Sequence, residues 1–321
     1  MKQADFERRG EAVWQAFAEE LKTLEASAKA VPSAQFAHHY RQICQAHALC
    51  ERRQYTGQLE LYLADLVVRG QRYLYRRPTR FVQTFWRFVV SDFPQAVRQD
   101  ARLFALVSAL FYLPALAFAW ALYYQADLIY SLMPPQAVQH LEAMYQPDNI
   151  TLGEARDSQT NWEMFGFYIR NNIGVAFRTC ASGLLFGVGS LLLVFYNGLI
   201  LGGAAAHLTH LGFTQTFFTF VIGHGSFELT AIIIAGVAGL KLGLALVAPA
   251  RLPRLEALRL AGAQAIVLAM GAGLMLVVAA FIEAFWSSNN LLAPGLKYTV
   301  GGLLWAVVGA YLVLAGRRRG A

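Results

Sequence analysis

Charge is scarce in this chain: 15% of its 321 residues are Asp, Glu, Lys or Arg, while 56% are hydrophobic. Too few charges remain to coat a water-soluble fold of this length, and lipid must replace water around much of it. Cysteine is nearly absent. Cys44, Cys50 and Cys180 form no disulfide framework and read as reduced structural residues. The opening MKQADFERRGEAVWQAF is charged throughout and has no signal-peptide core, so insertion is expected to begin at a later segment. HExxH and Gly-x-Ser-x-Gly are missing, and the first hundred residues hold no glycine-rich phosphate loop.

The charge that is present is unevenly placed. Residues 1 to 102 carry 16 basic and 11 acidic side chains, residues 125 to 171 carry 2 and 6, and residues 172 to 321 carry 9 and 3. The net charge of +7 could suggest nucleic acid, but the basic residues sit at the edges of apolar runs, where they act as topology signals.

Three amphipathic helices are predicted before the membrane: about Asp5 to Lys29, Ser33 to Arg53 and Thr56 to Arg76, with apolar residues three and four apart. They predict a small cytoplasmic bundle without catalytic spacing. Between Arg69 and Arg102, eight arginines alternate with aromatic residues. Arg69, Arg72, Arg76, Arg77 and Arg80 are candidates for contact with anionic headgroups; a plain positive-inside flank is the simpler alternative.

The first span is Leu103 to Tyr124, with the acidic stretch 125–171 outside it. The 49 uncharged residues between Arg178 and Glu228 are too many for one crossing. Asn197 with Gly198, and Gly223 with Gly225, are taken as helix breaks. They divide the run into a span over about 173–195, a short or re-entrant piece over 198–211, and a helix from about Ser226 to Val247. Two further spans, about 260–285 and 298–316, lead to Arg317, Arg318 and Arg319. The expected fold is all-α and polytopic, with about six transmembrane helices, one or two of them short or broken. A cytoplasmic domain occupies 1–102, the membrane domain 103–316 and a basic tail 317–321.

Charged residues in membrane helices are costly and mark candidate sites. Arg178, His224, Glu228 and Glu283 fall at similar depth on this topology, while Lys241 lies deeper toward the cytoplasm. Ser226 as a helix cap with an Arg178 partner would explain Glu228 structurally. Other readings are the metal half-site of an intramembrane metalloprotease completed by His207 and His210, a transporter site at broken helices, and a polar cluster that orders a scaffold or lipid-handling bundle. Gly183 with Gly187, Gly198 with Gly202, and Gly239 with Gly243 are small-xxx-small pairs suited to close helix packing or a homo-oligomer interface.

The segments NNIGVAFRTCASGLLFGVGSLLLVFYNGLILGGAAAHL, GHGSFELTAIIIAGVAGLKLGLALVAP and AAFIEAF, with YSLMPPQ and NWEMFGFYIRNN before them, resemble the stage II sporulation protein M family, in its non-sporulating, Gram-negative branch. The resemblance maps the family's HG-x-x-E-L element onto His224, Gly225, Glu228 and Leu229. Its NN pair falls on Asn171 and Asn172, its NG on Asn197 and Gly198, and its EAF on Glu283, Ala284 and Phe285. It implies an inner-membrane scaffold that is not itself a hydrolase and has no cofactor. The implied partners are membrane lipids and other envelope membrane proteins, including a MoxR-type ATPase system.

Overall fold

A computed structural model describes residues 2–26, 32–74, 81–153 and 160–317. Among them helices dominate and no named strand occurs; one isolated bridge joins Thr151 to Asn289. The chain divides into two compact units, Met1–Phe81 and Val82–Ala321.

The first unit is a three-helix bundle of α1 (Gln3–Ala26), α2 (Phe36–Arg53) and α3 (Gly57–Leu74). Phe17, Leu21, Phe36, Ile43, Leu63 and Leu66 close its core. Arg69 grips both oxygens of Glu25 at 2.9 Å and also reaches Asp65 at 2.9 Å. Its guanidinium therefore clamps α3 to α1, which corrects the expectation of a headgroup contact. Arg72 is exposed. Arg76, Arg77 and Arg80 lie outside the described residues.

The second unit begins with α4 (Phe81–Arg87), a π-helical turn (Phe88–Asp92) and α5 (Phe93–Gln99). α5 packs on α12 and α13, so the compact unit that holds the long apolar helices starts at Val82. The long helices are α6 (Ala101–Tyr124), α9 (Asn161–Ala181), α10 (Val188–His210), α11 (Thr214–Val247), α12 (Arg254–Ile282, continuing as a π turn over Glu283–Ser287) and α13 (Pro294–Leu314). Short α7 (Ile129–Leu132) and α8 (Pro135–Met144) fill the acidic segment.

Five of these helices, all except α9, are long and apolar enough to cross a membrane. Outward-facing Leu113, Leu116, Trp120, Leu303 and Val307 are exposed, as a lipid-facing surface requires. α9 carries Arg170, Asn171, Asn172 and Arg178 over 21 residues, and it packs on both α11 and α12. It is the sixth long helix of the unit. Residues at the two ends of the unit meet: Gln95 donates to the Gly316 carbonyl at 2.6 Å, and Arg98 to that of Leu312 at 2.7 Å.

α11 is the central helix. Every residue from Thr230 to Leu240 is buried, against α6, α9, α10, α12 and α13, as expected of a helix apolar on all sides.

The expected breaks at Asn197-Gly198 and Gly223 to Gly225 do not occur. Both lie inside continuous helices, α10 and α11. In lipid an unpaired backbone group has no water to bond, so a glycine that would fray a helix in water stays helical and serves packing instead. The Asn197 amide bonds the Leu193 carbonyl of its own helix at 2.7 Å. A Cβ at Gly198 would collide with the Phe111 carbonyl, and one at Gly202 with that of Ala115, so α10 lies backbone to backbone on α6. Residues 198–211 are thus the second half of a full-length helix, not a re-entrant piece. The real break is at 182–187, where Phe186 and Gly187 take positive φ of 54° and 84°. Gly183 and Gly187 there seat directly on Gly239 and Gly243 of α11.

Candidate functional site

α11 and α12 run antiparallel, and each presents an i, i+4 pair to the other: His224 with Glu228, and Glu283 with Ser287. Gly223 makes the approach possible, since a Cβ there would already stand 3.1 Å from Ser287 Oγ. His224 Nδ1 lies 3.0 Å from Ser287 Oγ, and Nε2 lies 3.6 Å from Glu228 Oε2. One donor atom from each of His224, Glu228 and Glu283 falls within 4.8 Å of the others. Asn172 of α9 donates to Glu283 Oε2 at 3.4 Å, and its own Oδ1 accepts from Asn171 at 3.0 Å. His224, Asn172 and Glu283 are buried, and the Glu228 side chain is about one-fifth exposed (21%). Phe220, one turn before His224, packs its ring edge-on to the imidazole at 5.0 Å.

The π turn puts Glu283 and Ser287 on the α11 side at the end of α12. Such turns recur at functional sites, since they re-aim side chains at some cost in helix geometry. The segment above this end is tied down: Leu152 N–H donates to the Ser288 carbonyl at 2.8 Å, and Asn290 N–H to that of Ile150 at 3.1 Å.

Asn172, His224, Glu228 and Glu283 therefore meet, with Asn171 exposed at the margin. Arg178 does not join them. It is exposed in the last turn of α9, two turns beyond Asn171 and toward the opposite end of the unit. Placing the helix start at 173 had inverted its depth. Glu228 is also not in a first turn: α11 starts at Thr214, and Ser226 is a mid-helix residue, not a cap. His207 and His210 lie elsewhere, with His207 Nε2 2.8 Å from Glu142 Oε1 of α8.

Sequence reading missed two partners. Ser287 repeats the i, i+4 spacing of the His-Glu pair and could have been found from it. Lys297, fully buried, donates to the Ser287 carbonyl at 2.9 Å. It was passed over because the last span was started one residue after it. Lys241 lies near the basic end as expected, and its ammonium reaches both Asp100 oxygens at 2.7 Å.

A family model described as stage II sporulation protein M matches residues 107–288. A second, described as a domain of unknown function, DUF8413, matches residues 4–76. No curated protein and no solved structure matches the chain. The first match contains the whole polar cluster; the second coincides with the three-helix unit.

Proposed function

The chain belongs to the stage II sporulation protein M family, and on that premise we propose that it is a non-enzymatic integral membrane scaffold of a cell-envelope complex. The observation that carries this reading lies on α3. Leu61 and Val68 are 73% and 53% exposed on a unit that already has a closed core of its own. They stand seven residues apart on one helix face, and the scaffold reading takes that face as the contact surface.

The proposed location is a bacterial inner membrane, with the three-helix unit and Arg317 in the cytoplasm. Arg98, Arg102, Arg251, Arg254 and Arg317 gather at one end of the membrane unit and the acidic segment at the other, which supports that orientation. α4 exposes Val82, Phe85 and Trp86 beside Arg87, a composition suited to anionic headgroups. Lipids, other envelope membrane proteins, a MoxR-type ATPase system and a second copy of the chain are the partners this role calls for; nucleic acid is not among them. A second reading, a lipid or solute carrier, draws on an apolar groove of about 1130 Å³ lined by Tyr112, Trp120, Leu201, Phe217 and Trp305.

The test is affinity isolation of the intact protein in mild detergent beside a Leu61→Glu/Val68→Glu variant. A protein partner at stoichiometric yield, lost from the variant while the variant stays folded, is the expected result. Stoichiometric lipid or solute with no protein partner would favour the carrier. Cleavage of a peptide, lipid or glycan by the purified chain, abolished in a folded Glu228→Gln variant, would end the non-enzymatic reading.

A further inference from the structure

Two carboxylates and an imidazole from two helices converge inside the membrane unit, each offering one donor atom within 4.8 Å of the other two. Facing carboxylates repel in an apolar setting, where water cannot spread their charge. A divalent cation between them would cancel the charge of both carboxylates, beside the buried Lys297 ammonium that the Ser287 carbonyl takes up. Ligands sharing a zinc-sized ion at about 2.0 to 2.2 Å stand roughly 3.4 Å apart in a tetrahedral arrangement. Small side-chain rotations therefore suffice to close the cluster.

The imidazole is placed to serve as a ligand. Nδ1 lies at hydrogen-bond distance, 3.0 Å, from Ser287 Oγ, and Nε2 is directed at Glu228 Oε2, 3.6 Å away. When Nδ1 donates to the serine, Nε2 presents its lone pair to a carboxylate. In that tautomer Nε2 can ligate a cation, as a ligating histidine is held by a hydrogen bond from its other nitrogen; with the proton on Nε2 it faces Glu228 as a donor instead. Three further features serve the arrangement: the π turn that carries Glu283 and Ser287, the glycine at 223 that admits Ser287, and the Asn172 amide bonded to Glu283.

We propose that His224, Glu228 and Glu283 bind one divalent transition-metal ion, with Ser287 positioning the imidazole. One nitrogen and two carboxylate oxygens form a mixed set suited to zinc or manganese, and three protein ligands leave a coordination position open. The ion joins α11 to α12, and this assignment is independent of the scaffold reading.

The full-length protein, purified in mild detergent and stripped with chelator, is exposed to Zn²⁺ or to Mn²⁺ alone, desalted and analysed for bound metal. About one ion per chain is expected for one of the two. His224→Ala and Glu283→Gln should abolish it, Ser287→Ala should weaken affinity about 10- to 100-fold, and His207→Ala should leave it unchanged. Should His224→Ala fail to fold, Ser287→Ala and the absorption spectrum of the Co²⁺-loaded wild type decide. A low-symmetry cobalt spectrum supports the site, and a spectrum of hydrated cobalt overturns it. The proposal is also overturned by a wild-type chain that retains less than about one-tenth of an ion, by Ser287→Ala with wild-type affinity, or by melting that depends on pH and not on metal, which would mean that the carboxylates share a proton.

Discussion

Lys241 and Asp100 show how a charge is tolerated in this unit. The ammonium meets both carboxylate oxygens at 2.7 Å, and the two side chains are 14% and 15% exposed. Removing one partner leaves the other charged and poorly solvated, so Lys241→Met or Asp100→Asn alone should lower stability in detergent by about 3 to 5 kcal/mol. The double variant Lys241→Met/Asp100→Asn should lie much closer to wild type. Thermal melts of all four proteins form the cycle, and additive losses would show that the pair carries no coupling energy. The three-helix unit offers a contrast in reactivity. Cys50 is fully buried, and burial, with smaller contributions from Glu60 and Glu7, raises its thiol pKa. Near neutral pH it should remain a protonated, shielded thiol, while half-buried Cys44 reacts first with maleimide. Equal rates for the two in the native protein would show that the bundle core opens freely.

Helix contacts made by glycine should separate sharply from those that are not. Gly198→Leu forces a side chain into the Phe111 carbonyl and should destabilise the protein by about 3 kcal/mol or more. At Gly302 an added Cβ meets nothing, so Gly302→Ala should stay within about 1 kcal/mol of wild type, on the stabilising side. Similar melting temperatures for the two variants would show that the α6–α10 crossing does not depend on close backbone approach. The same physics explains what could be read before the structure. In α1, α2 and α3 one face is polar and the other joins a core, so apolar spacing alone located the three helices. Inside the membrane both faces are apolar, that contrast vanishes, and only glycine and asparagine remained as punctuation. Those residues were read by the rules of water. Asn197 and Gly198 proved to be packing residues, and the true break at 182–187 depends on a backbone turn at Phe186 that no proline or asparagine announces. The polar cluster was legible because membrane charges must find one another; Arg178 was misplaced with its helix, and Ser287 carries no charge to attract notice.

At the scale of the molecule, α9 decides the topology, because it is too polar to count as a span by composition and yet packs on α11 and α12, which do count. With six traversals, the segment before α6 and the segment after α13 share one end, as the bond between Gln95 and the Gly316 carbonyl requires. If α9 crosses the bilayer, Leu255, 79% exposed in the first turn of α12, lies on the same side as that end. If α9 only dips into the membrane, the count before Leu255 becomes odd and the residue lies on the opposite side. Single-cysteine variants read this directly with a membrane-impermeant maleimide on intact cells. Cys44 alone and Leu255→Cys should both resist labelling until the membrane is permeabilised, whereas Ser131→Cys and Asp148→Cys, in the acidic segment, should label at once. Labelling of Leu255→Cys in intact cells while Cys44 stays protected would remove α9 from the crossings. Labelling of Cys44 with protection of Ser131→Cys would reverse the orientation, and the positive-inside assignment with it.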